Sequence, residues 1–295
     1  MIGCTLFMYI FERAEVIQMR KLLVFTDLDG TLIDRDTYEF KDASSALSTL
    51  RQRKIPVIIC SSKTRAEVEM YRRRMNLPWP FVVENGAAIF IPQNLLRLKG
   101  LTFASKGEYR VIELGTPYVE LCAIWKKTKK EGNFRVKGFS EMSTAEIAAL
   151  TGLTTQEASL AARREYSEPF LFFDTQDRFR HLQDLFQQKG LYITRGDRFY
   201  HLTGKNDKGK AVQILKKIYA DTYPDTEIWA VGLGDGSNDV PMLGCVDMPI
   251  VIRKKTGQWE RIPGLGRIVY SDKPGPRGWA EEIYRILGNQ DHVWS

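Results

Sequence analysis

The chain has 295 residues, 43% hydrophobic and 27% charged, and 43 Lys+Arg against 36 Asp+Glu leave a net charge of +7. This is an ordinary globular balance with enough apolar residues for a real core, and the length fits one large domain or two moderate ones. The basic residues are spread along the chain apart from short runs such as 126–130 ("KKTKK"), which argues against a nucleic-acid surface. The four cysteines (Cys4, Cys60, Cys122, Cys245) form no CxxC pair and no His stands at ligand spacing, which argues against structural zinc.

The opening "MIGCTLFMYIFERAEVIQMRKLL" holds an apolar stretch too short to span a bilayer, with neither a basic start nor a cleavage site. Residues 1–19 are expected to be an extension without a role in the chemistry. Reduced thiols and the lack of a membrane-length apolar run in the sequence predict a cytoplasmic protein. "KLLVFTD" (21–27) reads as a buried parallel strand. "KDASSALSTLRQRK" (41–54) has helical apolar spacing, "IPVIICSS" (55–62) is a second buried strand, and "TRAEVEMYRRRMNL" (64–77) a helix capped by Thr64. "PFVVENGAAIF" (80–90) is expected to be one strand running into a glycine turn. This alternation predicts an α/β fold with a doubly wound, mostly parallel sheet.

From about residue 90 to 203 the segments lose that regularity. Helices are expected over 143–152, 155–168 and 177–190, a strand over 169–174, and two short strands about a turn at Gly196-Asp197. This is an inserted α+β module. The α/β pattern resumes with a helix over 208–223, strand–loop–helix over 227–243, strands at 248–254 and 266–272, and a helix over 276–288. The predicted domains are therefore 20–89 with 204–295, and an insert over 90–203. A cleft between two such bodies is a favoured ligand site.

Strand C-termini in a doubly wound sheet face one crevice. That gathers Asp27, Asp29, Ser61, Asp235 and Asp239 at one edge, with Lys208 near a helix start within reach. Four carboxylates in one crevice raise one another's pKa unless a cation sits among them. A hard divalent ion with oxygen ligands answers this, and Mg²⁺ suits a site that keeps waters and shares a substrate phosphate. Taken singly, such acids are ordinary turn and cap residues; "DLDGT" and "GDGSND" together at two strand ends are far more specific.

"DLDGTLID" (27–34) and "GLGDGSNDVPML" (232–243) resemble the first and fourth signature motifs of the haloacid dehalogenase-like hydrolases, and Ser61 and Lys208 match the second and third. "VENGA" (83–87) fits the branch with a large α/β cap. The resemblance implies that Asp27 attacks phosphorus, that Asp29 serves as acid and then base, and that Ser61 and Lys208 hold phosphate oxygens. It also implies that Asp27, Asp29, Asn238, Asp235 and Asp239 hold Mg²⁺ or its waters. Within that superfamily "CSSKTRAEV" (60–68), "RREYSEPF" (163–170), "RFYHL" (198–202) and "KPGPRGWAEEI" (273–283) are similar to the mannosyl-3-phosphoglycerate phosphatase branch. That branch implies a phosphorylated sugar-glycerate substrate, dephosphorylated to a compatible solute. Lys63, Arg163, Arg164, Arg195 and Arg198 are then candidates for its charged groups and Glu168 for its sugar hydroxyls. Other capped sugar-phosphate phosphatases (sucrose- or trehalose-phosphate type), a phosphomannomutase, and a non-enzymatic basic binding protein are the alternatives.

Overall fold

The computed structural model describes residues 20–196 and 198–288; the extension expected over 1–19 lies outside the described residues, as does Asp197 of the expected turn. β1 (Arg20–Thr26) buries its last five residues, as a strand covered on both faces must. Leu22 and Val24 point into one apolar cluster and Leu23 and Phe25 into another on the opposite face of the sheet. After a loop and a 3-10 turn come α1 (Ser44–Gln52), β2 (Val57–Cys60) and α2 (Arg65–Met75). Thr64 starts α2 by a capping box: its hydroxyl accepts from the Glu67 amide at 3.2 Å while the Glu67 carboxylate accepts from the Thr64 amide at 2.9 Å.

The single strand expected over 80–90 is two, β3 (Phe81–Val83) and β4 (Ala88–Pro92), in an antiparallel hairpin. The intervening Glu84, Asn85 and Gly86 all have positive φ, at 46°, 57° and 90°. Gly86 is required there, because a Cβ would lie 2.0 Å from the Asp207 carbonyl oxygen. β5 (Ala104–Lys106) and β6 (Tyr109–Glu113) extend the same sheet. By pairing, these strands belong to the larger sheet, although the sequence pattern groups them with the insert.

The insert's own elements are α3 (Tyr118–Gly132), β7 (Val136–Gly138), α4 (Thr144–Thr151), α5 (Thr155–Ala161), β8 (Ser167–Phe172), α6 (Gln176–Gln187), β9 (Tyr192–Arg195) and β10 (Tyr200–Thr203). The helix expected over 155–168 stops at Ala161. The Glu84 carboxylate accepts from the amides of Glu165 (2.8 Å) and Tyr166 (3.1 Å) and so holds the chain extended into β8. α7 (Lys208–Thr222), β11 (Glu227–Gly234), α8 (Val240–Leu243), β12 (Met248–Arg253), β13 (Val269–Pro274) and α9 (Gly275–Gly288) complete the chain.

The larger sheet runs β13-β12-β11-β1-β2-β3-β4-β6-β5, parallel from β13 to β3 and antiparallel beyond. The smaller sheet, β7-β8-β10-β9, is antiparallel throughout. Its outer face packs on α3 and α6 around Trp125, whose ring stacks on Phe186 at 6.0 Å. No helix among the described residues is long and apolar enough to cross a membrane.

Candidate active site

β1 has β11 on one side and β2 on the other, so the C-terminal ends of these three strands meet at a topological switch point. Asp27 follows β1, Ser61 follows β2 and Asp235 follows β11. Gly209 lets the start of α7 approach α8, since a Cβ there would come 2.5 Å from the Pro241 carbonyl oxygen. This approach carries Lys208 into the strand ends. Its ammonium is fully buried and donates to Asp27 Oδ1 at 2.7 Å and Asp239 Oδ1 at 2.6 Å. Burial opposes that charge, but the carboxylates of Asp239 and Asp27 outweigh it and hold the lysine well above its usual range.

Asp239 also fixes the loop after β11. Its Oδ2 accepts from the amides of Asp235 (3.0 Å) and Gly236 (2.9 Å). A Cβ at Gly234 would sit 2.6 Å from Asp239, so the loop closes only over a glycine. Asp27, Asp235 and Asp239 each present an oxygen within 4.8 Å of the others. This hard-oxygen donor set fits Mg²⁺. The electrostatics agree: burial, and then the charge of Asp239, push Asp27 up against the pull of Lys208, and burial lifts Asp235 to about 6 although Arg35 opposes it. Carboxylates held this far from their usual range are short of positive charge, which a divalent cation would supply.

A second basic group lies on the cleft side. Lys63 Nζ stands 3.1 Å from Asp29 Oδ1 and 3.4 Å from Glu67 Oε1, tying the residue two beyond Asp27 to the start of α2. Arg35 donates to Asp235 Oδ2 at 2.6 Å. Asn238 donates to the Asn85 side chain at 3.1 Å, which joins the β11 loop to the β3–β4 turn. Ser61 is fully buried and its hydroxyl oxygen accepts from the Lys63 amide at 3.1 Å; its neighbour Ser62 lines the cleft.

Above these residues lies a cleft of about 630 Å³, bounded below by the larger sheet and above by the insert. Asp27, Asp29, Lys63, Asp235 and Asn238 line it, as do Arg164, Arg195 and Arg198 of the insert. Arg164 donates to the carbonyls of Ala161 (2.9 Å) and Ser62 (2.8 Å), and Arg198 to that of Thr151. Arg163 is exposed and Glu168 is fully buried, and neither is among the cleft residues. The register explains Glu168. It pairs with Leu202, which belongs to the apolar cluster under α3 and α6, so its side chain starts on that face. There its carboxylate accepts from Tyr118 (2.6 Å) and from the Ser140 amide (2.9 Å) and hydroxyl (2.6 Å). By the same rule Arg195, opposite Tyr200, starts on the helix-covered face and is exposed at the end of its strand.

Arg35, Glu84 and His201 were not singled out by the sequence. Arg35 sits in a loop without motif, and its partner Asp235 is 200 positions away. The period of two in "RFYHL" marks His201 as facing the side opposite Tyr200 and Leu202.

The profile of the haloacid dehalogenase-like hydrolases matches residues 24–113. A protein of Persephonella marina named glucosyl-3-phosphoglycerate/mannosyl-3-phosphoglycerate phosphatase is 41% identical over 267 residues, 90% of this chain and 97% of the relative. The chain belongs to the mannosyl-3-phosphoglycerate phosphatase family of haloacid dehalogenase-like hydrolases. A relative in Methanococcoides burtonii with the same double name is 38% identical over 92% of this chain and 100% of its own length. A Pyrococcus furiosus relative named mannosyl-3-phosphoglycerate phosphatase is 35% identical over 78% of this chain and 90% of its own. Members of this family are phosphoric monoester hydrolases, and this chain is an enzyme of that class. In fold it is similar to a haloacid dehalogenase-like hydrolase of B. subtilis, with a TM-score of 0.63 at 15% identity over 90% of this chain and 99% of the other.

Proposed function

We propose that this enzyme hydrolyses mannosyl-3-phosphoglycerate to mannosylglycerate and phosphate through an aspartyl-phosphate on Asp27. The observation that carries the reading is the buried bridge Asp27–Lys208–Asp239, at 2.7 and 2.6 Å. It fixes Asp27 by one oxygen and leaves the other as the attacking atom. The names of the family relatives support the substrate, and two of them add the glucosyl ester.

In this mechanism Asp27 attacks phosphorus in line as the glycerate oxygen departs. Asp29 gives that oxygen its proton and then takes one from the water that opens the acyl-phosphate. Lys63 orients Asp29 from the cleft side. Lys208 and Ser61 hold phosphate oxygens. Asp27, Asp235 and Asp239, with Asn238 and the backbone carbonyl of Asp29, would hold a Mg²⁺ ion, which when bound neutralises the phosphate dianion that a carboxylate must approach. The insert serves as a cap whose wall selects the alcohol half of the ester.

The test is phosphate release with Mg²⁺ from mannosyl- and glucosyl-3-phosphoglycerate, sucrose-6-phosphate and mannose-1-phosphate. The expected result is preferential release from the phosphoglycerate esters without isomerisation of mannose-1-phosphate. Equal or faster release from sucrose-6-phosphate would overturn the substrate; isomerisation would point to a mutase.

A further inference from the structure

The cap wall of the cleft contains a side chain that the chemistry above leaves unused. His201 is in the centre of β10, paired with Pro169 of β8 and Thr194 of β9. Tyr200 and Leu202, on either side of it, pack into the cluster under α3 and α6, so His201 faces the other way, toward the larger sheet. It lines the cleft together with Pro169, Arg164 and Phe139.

The residue is more than nine-tenths buried, at 9% exposure. Nδ1 is sealed from solvent without a hydrogen-bond partner among the described residues. Nε2 lies beside Gly196, where a Cβ would come within 2.9 Å of it, so a side chain at that position would crowd this nitrogen. Thr194, directly across the ladder but not among the cleft residues, has an Oγ1 that is likewise buried without a partner among the described residues. Buried polar groups are nearly always paired, so an unpaired imidazole nitrogen on a residue that lines the cleft points to a ligand that completes it. Burial, and then the guanidinium of Arg164, hold the imidazole neutral, with its pKa near 3. A neutral imidazole offers one donor and one acceptor. That suits a sugar hydroxyl, which is both, and does not suit a phosphate or carboxylate, which wants a cation.

We propose that His201 is a specificity-determining site that hydrogen-bonds the hydroxyls of the substrate's sugar ring. The site rests on the glycosyl-phosphoglycerate reading, and it assigns the sugar to the cap sheet and the phosphate to the strand ends of the core.

The experiment compares mannosyl-3-phosphoglycerate with 3-phosphoglycerate, which has the same phosphate and carboxylate but no sugar. His201→Phe keeps a ring and removes both nitrogens. The expected result is a fall of about 10- to 100-fold in kcat/KM on the glycosyl ester, carried by KM, with less than about 3-fold change on the sugar-free ester. His201→Gln, which restores a donor and an acceptor, recovers part of the loss. Equal losses on both esters would make His201 structural and overturn the proposal, as would no loss on either. If the unmodified enzyme releases phosphate from the sugar-free ester but not from the glycosyl ester, the substrate reading fails and the sugar site fails with it.

Discussion

Asp239 accepts hydrogen bonds on both carboxylate oxygens, from Lys208 on one and from two loop amides on the other. It is therefore the brace of the site, whereas Asp27 and Asp235 face the cleft. Lys208 and Lys63 divide the work between them: one sits under Asp27, the other beside Asp29. At His201 burial has a measurable consequence for stability. An unfolded histidine titrates near 6.5, and in the folded chain it titrates near 3. The unfolded state therefore takes up the proton first. The contribution is complete above about pH 6.5 and is lost as pH falls toward 3, by up to about 1.4 kcal/mol per pH unit. Thermal unfolding of the unmodified enzyme and of His201→Phe at about pH 7.5 and about pH 5 checks this. The variant is expected to lose less stability across that interval; parallel losses would contradict a neutral buried imidazole.

Among the elements, the β3–β4 turn has the widest reach. Glu84 accepts from the amides of Glu165 and Tyr166 and from the Ser167 hydroxyl, at 2.8, 3.1 and 2.5 Å, and so ties the cap to the core. Asn85 accepts from Asn238 in the β11 loop. Glu84→Ala leaves two buried amides and a hydroxyl without an acceptor and is expected to cost about 3 kcal/mol in urea unfolding. A cost below about 1 kcal/mol would mean that water replaces the carboxylate readily. The sequence pattern makes β1 and β11 legible because each is an apolar run stopped by an Asp-Gly loop, and β2 because its apolar run stops at two serines. It hides β5 and β6, since β5 is three residues long with no buried position to mark it. It misjudges the end of α5 because the local preference of 162–166 for helix yields to Glu84, nearly 80 positions earlier in the chain. Glu168 shows the same limit. Its residue type suits a sugar ligand, but its register turns it to the helix-covered face.

At the scale of the whole molecule, the motif acids come together because a doubly wound sheet brings the ends of β1, β2 and β11 to one edge. The antiparallel cap sheet then closes a cleft whose floor carries the carboxylates of Asp27, Asp29 and Asp235 and whose roof carries neutral and basic side chains. The cap also contacts the core directly: Tyr38 donates to the Thr151 carbonyl at 3.1 Å and Thr64 to that of Leu160 at 3.0 Å. The proposed mechanism turns on one step, the attack of Asp27 on phosphorus. The most direct measurement is phosphate release from mannosyl-3-phosphoglycerate by Asp27→Asn, a substitution that keeps the shape and removes the proposed nucleophile, with its fold checked by circular dichroism. The account predicts a folded variant with no release above background; a folded variant that still turns over at more than a trace would contradict it.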